Sequence, residues 1–455
     1  MKRVFILFLE IAVIVTPVML RAQMGDAPVP SSSSEAGPVT FGSGEEEGLR
    51  YSDESSATKF VVFSLGAEAA YDDNVFGNNS NRRNSTLYSV SPRLGFGVEG
   101  RPGNFILNYS PDFTDYQQIK GRDQLNHSLQ LDATGKMSPH FQLRVRNSTS
   151  YRNGFFQPKL GQEFVSDLGS PTGLNESVAV PLSRILTTNS RLDLVMPKSY
   201  RTTITVFGGY QLRDFLRTET ISTNLVDLRG WNTGMEYSYR LNERTTISLT
   251  YLLRNLRFGE RSRLISHSGF VSMATQVTPT VSLQLFAGPQ QTRLHDEFTL
   301  TLPLDGGEVM VRASVFRVNW HIAAGGTLAK QSKNTVFKIN AQRIESDGGG
   351  LFTATVSNVA GLEVGRKLGR YWDARWTARY ALTKALGSDY LDSEIRGQSA
   401  GFALSRPIAR RLTLRWGYAY VRQRVHGQAP IRINGDRNRA SFGIYYQFGK
   451  IPLGR

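Results

Sequence analysis

Between residues 59 and 448 the chain repeats one pattern: every second residue is apolar over about ten to fourteen positions, and a turn follows. Clean copies are Tyr88-Val90-Pro92-Leu94-Phe96-Val98, Phe105-Leu107-Tyr109-Pro111-Phe113 and Trp372-Ala374-Trp376-Ala378-Tyr380-Leu382. Side chains alternate faces along a strand, so each copy predicts a strand with one apolar and one polar side. The residues interleaved in the first copy are Ser89, Ser91, Arg93, Gly95, Gly97 and Glu99. A soluble sandwich would bury the apolar side, whereas a transmembrane barrel turns it to lipid and keeps the polar side around a wet lumen.

Eighteen segments fit the pattern, from 60–71 to 438–448, with sixteen as the alternative count. Their connections alternate in length. Gly100–Gly103, Ser138-Pro139, Pro197–Ser199, Leu241–Arg244, Thr278–Thr280, Gln331–Lys333, Leu368–Arg370 and Pro407–Arg410 are short. Asp72–Ser85, Asn153–Arg184, Leu294–Arg312 and Arg424–Arg437 are among nine long ones. That alternation predicts an all-β, closed, antiparallel up-and-down barrel across residues 59–448, with short turns and both termini on the periplasmic side. A sandwich, propeller or solenoid has no reason to alternate its connections in this way. Tyr71, Tyr151, Tyr239, Tyr371, Trp372, Tyr418 and Tyr420 fall near strand ends, where interfacial rings are favoured.

Pro92 and Pro111 sit inside segments, where each removes a ladder donor. Pairing about the Arg101-Pro102 turn sets them opposite one another, which predicts a non-hydrogen-bonded pair or a bulge there.

Composition adds the compartment. Residues 1–23 read as a signal peptide, with Lys2-Arg3 ahead of a short apolar run. Residues 24–58, rich in Pro, Ser, Gly and Glu, have too little apolar surface to form a core and read as an acidic periplasmic leader. Residues 449–455 form a short tail after a final strand, Ala440-Phe442-Ile444-Tyr446-Phe448, that is similar to the signal read by outer-membrane assembly machinery. The chain has no cysteine, which excludes disulfides, thiolate metal sites and a lipoprotein anchor. The expected location is the bacterial outer membrane.

The formal charge is +16 although the leader is acidic, so the barrel itself is strongly basic. Arg144, Arg146, Arg375, Arg379, Arg411 and Arg415 fall on the polar parity and are expected to line the lumen, where fixed cations concentrate anions. The alternative is pairing with lumenal acids such as Asp132, Glu236, Glu363 and Asp373. A second set, Arg82, Arg83, Arg213, Arg217, Arg257, Arg261 and Arg424, falls at strand tips and reads as an extracellular rim suited to lipopolysaccharide phosphates. Nucleic acid is excluded as a partner, because the compartment is wrong and the basic charge is spread out.

Six histidines lie scattered with no metal-ligand spacing, and neither a Walker A nor a GxSxG motif occurs. No cofactor and no enzyme activity are expected. Ser266-His267-Ser268 and Asn319-Trp320-His321 are the formal catalytic candidates, to be decided by geometry.

Residues 67–150 resemble the β-barrel porin 2 family, outer-membrane barrels that often accompany exopolysaccharide synthesis and export. The resemblance is carried by Ala67-Glu-Ala-Ala-Tyr71-Asp72-Asp73-Asn74-Val75-Phe76, Ser89-Val-Ser-Pro92-Arg-Leu, Leu107-Asn-Tyr109-Ser-Pro111-Asp112-Phe-Thr-Asp-Tyr116 and Asn126-His127. It implies a barrel and supplies no catalytic residue. The expected function is a pore or export conduit for polar, anionic or saccharide solutes, with Asn153–Arg184 as a candidate plug. The alternative is a non-conducting scaffold that anchors an envelope polysaccharide or protein-sorting system.

Overall fold

The computed structural model describes residues 59–100, 103–119, 123–154, 183–216, 225–260, 262–304, 307–386, 393–427 and 434–453. The proposed signal peptide and leader, and most of Asn153–Arg184, lie outside them. The strands are β1 Lys59–Asp72, β2 Ser85–Gly100, β3 Gly103–Tyr116, β4 Gln124–Ser138, β5 Phe141–Gly154 and β6 Ser183–Pro197. They continue with β7 Thr202–Leu216, β8 Leu228–Arg240, β9 Thr245–Phe258, β10 Ser262–Thr278, β11 Val281–Leu304 and β12 Gly307–Gln331. The last are β13 Thr335–Gly348, β14 Phe352–Leu368, β15 Trp372–Ala385, β16 Glu394–Ala409, β17 Leu412–His426, β18 Gly435–Gln447 and the two-residue β19 Ile451–Pro452.

Each of β1 to β17 pairs antiparallel with the next, and β18 pairs with β1 from Ser64↔Gln447 to Asp72↔Arg439. The sheet therefore closes on itself as an eighteen-stranded up-and-down barrel. At the usual strand spacing and tilt, opposite backbones lie about 36 Å apart. The tail is not loose: Ile451 and Pro452 pair with Val61 and Phe60 of β1.

Register carries one parity unbroken around the ring. Leu65, Val90, Leu94, Leu192, Val206, Met235, Leu249, Val271, Leu285, Ile339, Leu362 and Phe442 share it, and all are exposed. The other parity holds residues such as Arg213 and Arg254, which reach Asp347 and Glu345 on β13. Strands that far apart on a ring can touch only through its interior, so this second parity faces inward. Aromatics mark both ends of the outer face. On β8, Trp231 and Tyr239 stand about 26 Å apart along the strand, about 20 Å in height at the usual tilt, which falls within a membrane's apolar band.

The two prolines lie directly opposite, since Val90↔Phe113 and Leu94↔Tyr109 have the same register. No bulge forms. Three consecutive pairs, Ser91–Arg93 with Ser110–Asp112, drop out of the ladder instead. This corrects the expected non-hydrogen-bonded pair: the prolines occupy a position that would exchange two N–H···O bonds, and both neighbouring pairs depend on those same bonds. Ladders to β1 and β4 run on through Leu65↔Pro92 and Pro111↔His127, so the two missing donors coincide at one point. Ser91 Oγ donates to Asp112 Oδ2 across the gap at 2.5 Å.

Two other expectations are corrected. The segment Leu294–Arg312 is not a loop; β11 and β12 continue through it, pairing as far as Leu304↔Gly307. And the connections at the long-loop end are not uniformly long. Those after β9, β11 and β13 are tight, because these hairpins keep alternating to their tips.

Candidate functional site

The lumen has two unlike halves. Toward the short turns, polar side chains line open space: Arg144 and Ser148 are exposed, and Gln130, Asn189, Gln284, Thr327 and Thr377 are half-buried. Toward the long loops the inward residues are sealed. Gln211, Arg254, Ser266, Gln290, Thr292 and Gln423 are all at most 1 % exposed.

The seal is the β13–β14 hairpin. β13 pairs with β12 only from Gln331↔Val336 to Ala324↔Arg343, then leaves the wall and turns into the lumen. Its tip packs Leu351 and Phe352 against Phe215 of β7, Leu225, Ile395 of β16 and Val425 of β17. β7 and β17 are eight steps apart the shorter way around the ring, so this cluster spans the lumen. The turn needs glycine. Gly350 has φ +92°, and a Cβ there would stand 2.2 Å from the Phe215 ring. Lower down, Ala354 packs with Leu228, Leu256, Leu264 and Leu294, and Ile344 with Phe207, Leu252, Phe270 and Ala323.

Charge explains why the hairpin leaves the wall. Extending the β12–β13 register would set Glu345 opposite Ile322 and Asp347 opposite Trp320, on the outward face. A carboxylate there meets hydrocarbon, at about 1–3 kcal/mol each. Turned inward, both are buried against cations of the facing wall. Arg213 Nη1 binds Asp347, and Arg254 Nη1 lies 3.8 Å from Glu345 Oε1 while donating to the Glu345 carbonyl at 3.3 Å. Gln290 Nε2 donates to Glu345 Oε2 at 3.1 Å, and Thr292 also donates to that oxygen. The hairpin's other face is tied by Ser346 to Thr355 and Ser357, and by Ser357 to Thr383.

Of the six arginines expected in the lumen, five face inward. Arg144 carries no carboxylate partner among the described residues, Arg146 is 3.1 Å from Asp193, and Arg375 is 3.4 Å from Glu363. Arg379 and Arg415 share the inward parity. Arg411 stands in the turn before β17, at the short-turn rim, where its carbonyl accepts from Gln447 N. The pattern missed Arg191 and Arg439. Arg191 shares Asp193 at 2.5 Å and covers the Phe207 ring at 4.4 Å, while Arg439 Nη2 lies 2.7 Å from Glu68 Oε1. Pairing and free charge therefore coexist. Besides Arg213 and Arg254, which hold the hairpin, and Arg317 on β12, inward arginines lie on β2, β5 and β6 and on β15, β17 and β18, the side of the ring that includes the β18–β1 closure.

The rim set divides. Arg82 and Arg83 are exposed, with Arg82 Nε donating to Asn79 Oδ1 at 3.3 Å. Arg257 is exposed on the outer wall, directly between Arg229 and Arg263 on the neighbouring strands. Arg424 faces outward and pairs with Asp436 at 3.0 Å. Arg213 is corrected from rim to buried anchor of the hairpin, because its partner arrives from across the ring. Arg217 and Arg261 lie outside the described residues, as does the proposed plug in Asn153–Arg184. The signal that would have found the real insert is local: two acids on the outward parity, Glu345 and Asp347, just ahead of Gly348-Gly349-Gly350.

The formal catalytic candidates do not assemble. His267 faces outward and bonds Tyr251 Oη at 2.8 Å, whereas Ser266 and Ser268 face inward. His321 Nε2 is 3.1 Å from Gln290 Oε1, with no nucleophile between them. Among the described residues no group of three His, Asp or Glu side chains is arranged for a metal.

No protein-family model matches the chain, the β-barrel porin 2 model included, and no curated protein matches it. Solved structures similar to it include Pseudomonas aeruginosa OpdO, at 13% identity and TM-score 0.41, covering 86% of this chain and 97% of that one. Acinetobacter baumannii OccAB4 is 11% identical with TM-score 0.41, covering 88% and 100% respectively. Pseudomonas aeruginosa OccK2 (OpdF) in complex with glucuronate is 12% identical with TM-score 0.41, covering 85% and 98%. The barrel described above stands on its own strand register.

Proposed function

We propose that this chain is an outer-membrane barrel that admits polar solutes, anionic or saccharide, to a basic lumen from its short-turn, periplasmic end. In this reading the inserted hairpin is the constriction. One observation carries it: around a closed ring, one parity is apolar and exposed while the other, toward the short turns, is polar and carries arginines. Water cannot satisfy backbone groups within a bilayer, and a closed barrel is the β structure that needs none. The final strand's outward Phe442, Ile444 and Tyr446 suit recognition by barrel-assembly machinery, and the Arg229–Arg257–Arg263 row suits lipopolysaccharide phosphates.

The test is conductance in a planar bilayer across a salt gradient. A reversal potential favouring anions is expected, and it should weaken with added salt as the lumenal charge is screened. The apolar cluster across the lumen favours a second reading, a non-conducting barrel that anchors an envelope polysaccharide or sorting system. Zero conductance both in the native chain and after release of the hairpin would select that second reading.

A further inference from the structure

The outer wall carries its charge unevenly at the long-loop end. On β16 and β17 the outward arginines there have acids: Arg396 pairs with Glu394, and Arg422 and Arg424 lie 3.5 Å and 3.0 Å from Asp436. Across β8 to β11 the cations gather without such matching. Arg229, Arg257 and Arg263 stand side by side in one cross-strand row, and Arg293 follows on β11, opposite Ile265. All four are outward and exposed, and their Cα atoms fit within about 16 Å at the usual strand spacing. Among the described residues the one ion pair they make is Arg229 Nη2 with Asp214, at 4.0 Å, while Arg263 Nε donates to Asn255 Oδ1 at 3.1 Å. Below the row the wall turns apolar and dips. Gly269 and Pro289 floor the dip between Tyr251 and Ile322, which are 49% and 67% exposed. A Cβ on Gly269 would meet nothing within 4 Å. Trp320 and Ile322 project freely because, among the described residues, β12 beyond Ala324↔Arg343 pairs with β11 alone and leaves its other edge open.

We propose that this outer face of β8 to β12 is a docking surface for one phosphorylated saccharide lipid, the lipid A part of lipopolysaccharide. It rests on the outer-membrane reading above, which sets the long-loop end in the outer leaflet, and it holds whether the lumen is open or closed. Four guanidiniums set against one acid repel one another at the membrane edge, so the matching anions come from outside the chain. A guanidinium fork fits phosphate oxygens, and the row has room for two phosphates, one at Arg229 and Arg257 and one at Arg263 and Arg293. An ordinary phospholipid brings a single phosphate and leaves half the row unmatched. Asn255 and Gln291, just below, present amides to the saccharide. The acyl chains then run down over Leu253, Tyr251 and the dip at Gly269, bounded on the far side by Trp320 and Ile322.

The test uses the full chain in phosphatidylcholine nanodiscs, titrated with bisphosphorylated lipid A or with the monophosphorylated form of the same acylation. Native mass spectrometry counts the lipid retained. One bisphosphorylated molecule per barrel is expected, with the monophosphorylated form held about tenfold more weakly, the worth of one charge-assisted hydrogen bond. Arg257→Gln with Arg263→Gln should weaken the bisphosphorylated lipid by about tenfold or more, whereas Arg422→Gln with Arg424→Gln, on β17, should leave it unchanged. Gly269→Leu should also weaken it, by filling the dip. Equal retention of the two lipids, equal loss in the β17 variant, or full retention by Gly269→Leu overturns the proposal. So does release of the lipid by inorganic phosphate, which would mark a site for the free anion. Two-chain particles that Trp231→Ser returns to single chains would assign the face to a second copy and likewise overturn it. A chain that does not enter nanodiscs at all would overturn the barrel reading itself, and the docking surface with it.

Discussion

Neutralising the two acids of the inserted hairpin should drive it out of the lumen. Glu345→Leu with Asp347→Val removes a carboxylate partner from each of the buried Arg254 and Arg213, which are at most 5% exposed. Breaking a buried ion pair by removing one partner costs about 3–5 kcal/mol, so the inserted state loses at most about 6–10 kcal/mol. Opposing this is the burial of Leu351 and Phe352 at the tip, about 3–6 kcal/mol together. The wall position improves at the same time. It gains cross-strand pairs from Ile344 onward with β12, and it no longer sets carboxylates opposite Ile322 and Trp320. The balance therefore favours zipping the seam and opening the lumen. Spin labels at Gly349 and Ser148 would report the movement as a distance change of about 15 Å, nearly the radius of an eighteen-stranded barrel. Single-channel conductance should rise in parallel. Unchanged label distance and conductance would show that apolar packing, not charge, holds the hairpin in place.

Other outcomes follow from the same contacts. Pro92→Val with Pro111→Thr restores two ladder donors at one point, and should raise the barrel's unfolding free energy by about 1–3 kcal/mol in urea titration, each single change giving about half. Gly350→Ala demands a left-handed residue against the Phe215 ring, so the hairpin tip should loosen, read as faster proteolysis near Gly349 and higher conductance. Arg437→Ala strands Asp72, which is 0% exposed, and should destabilise the β1–β18 closure by about 3–5 kcal/mol, seen as loss of heat-resistant migration on gels. Arg144→Glu reverses an exposed lumenal charge and should shift the reversal potential toward cations, whereas Arg257→Glu on the outer wall should not.

Legibility in the sequence tracked the range of the forces involved. Alternation is local, so the eighteen strands, their inward and outward faces, and the opposition of Pro92 and Pro111 were all readable from spacing. Five of the six expected lumenal arginines followed from parity alone. Arg411 stands with Arg410 in a tight turn at the short-turn rim rather than within a strand.

What the sequence by itself determined, then, is a closed barrel with an apolar outer face and a set of arginines on its inward parity, because side-chain alternation is a property of each strand. Only the tertiary structure decided what fills that interior. Glu345 and Asp347 read as the end of one strand and the start of a loop until Arg254 and Arg213 arrive from the facing wall. No local pattern records which strands will meet across a ring. The inserted hairpin, the buried role of Arg213 and the open edge of β12 all come from that meeting.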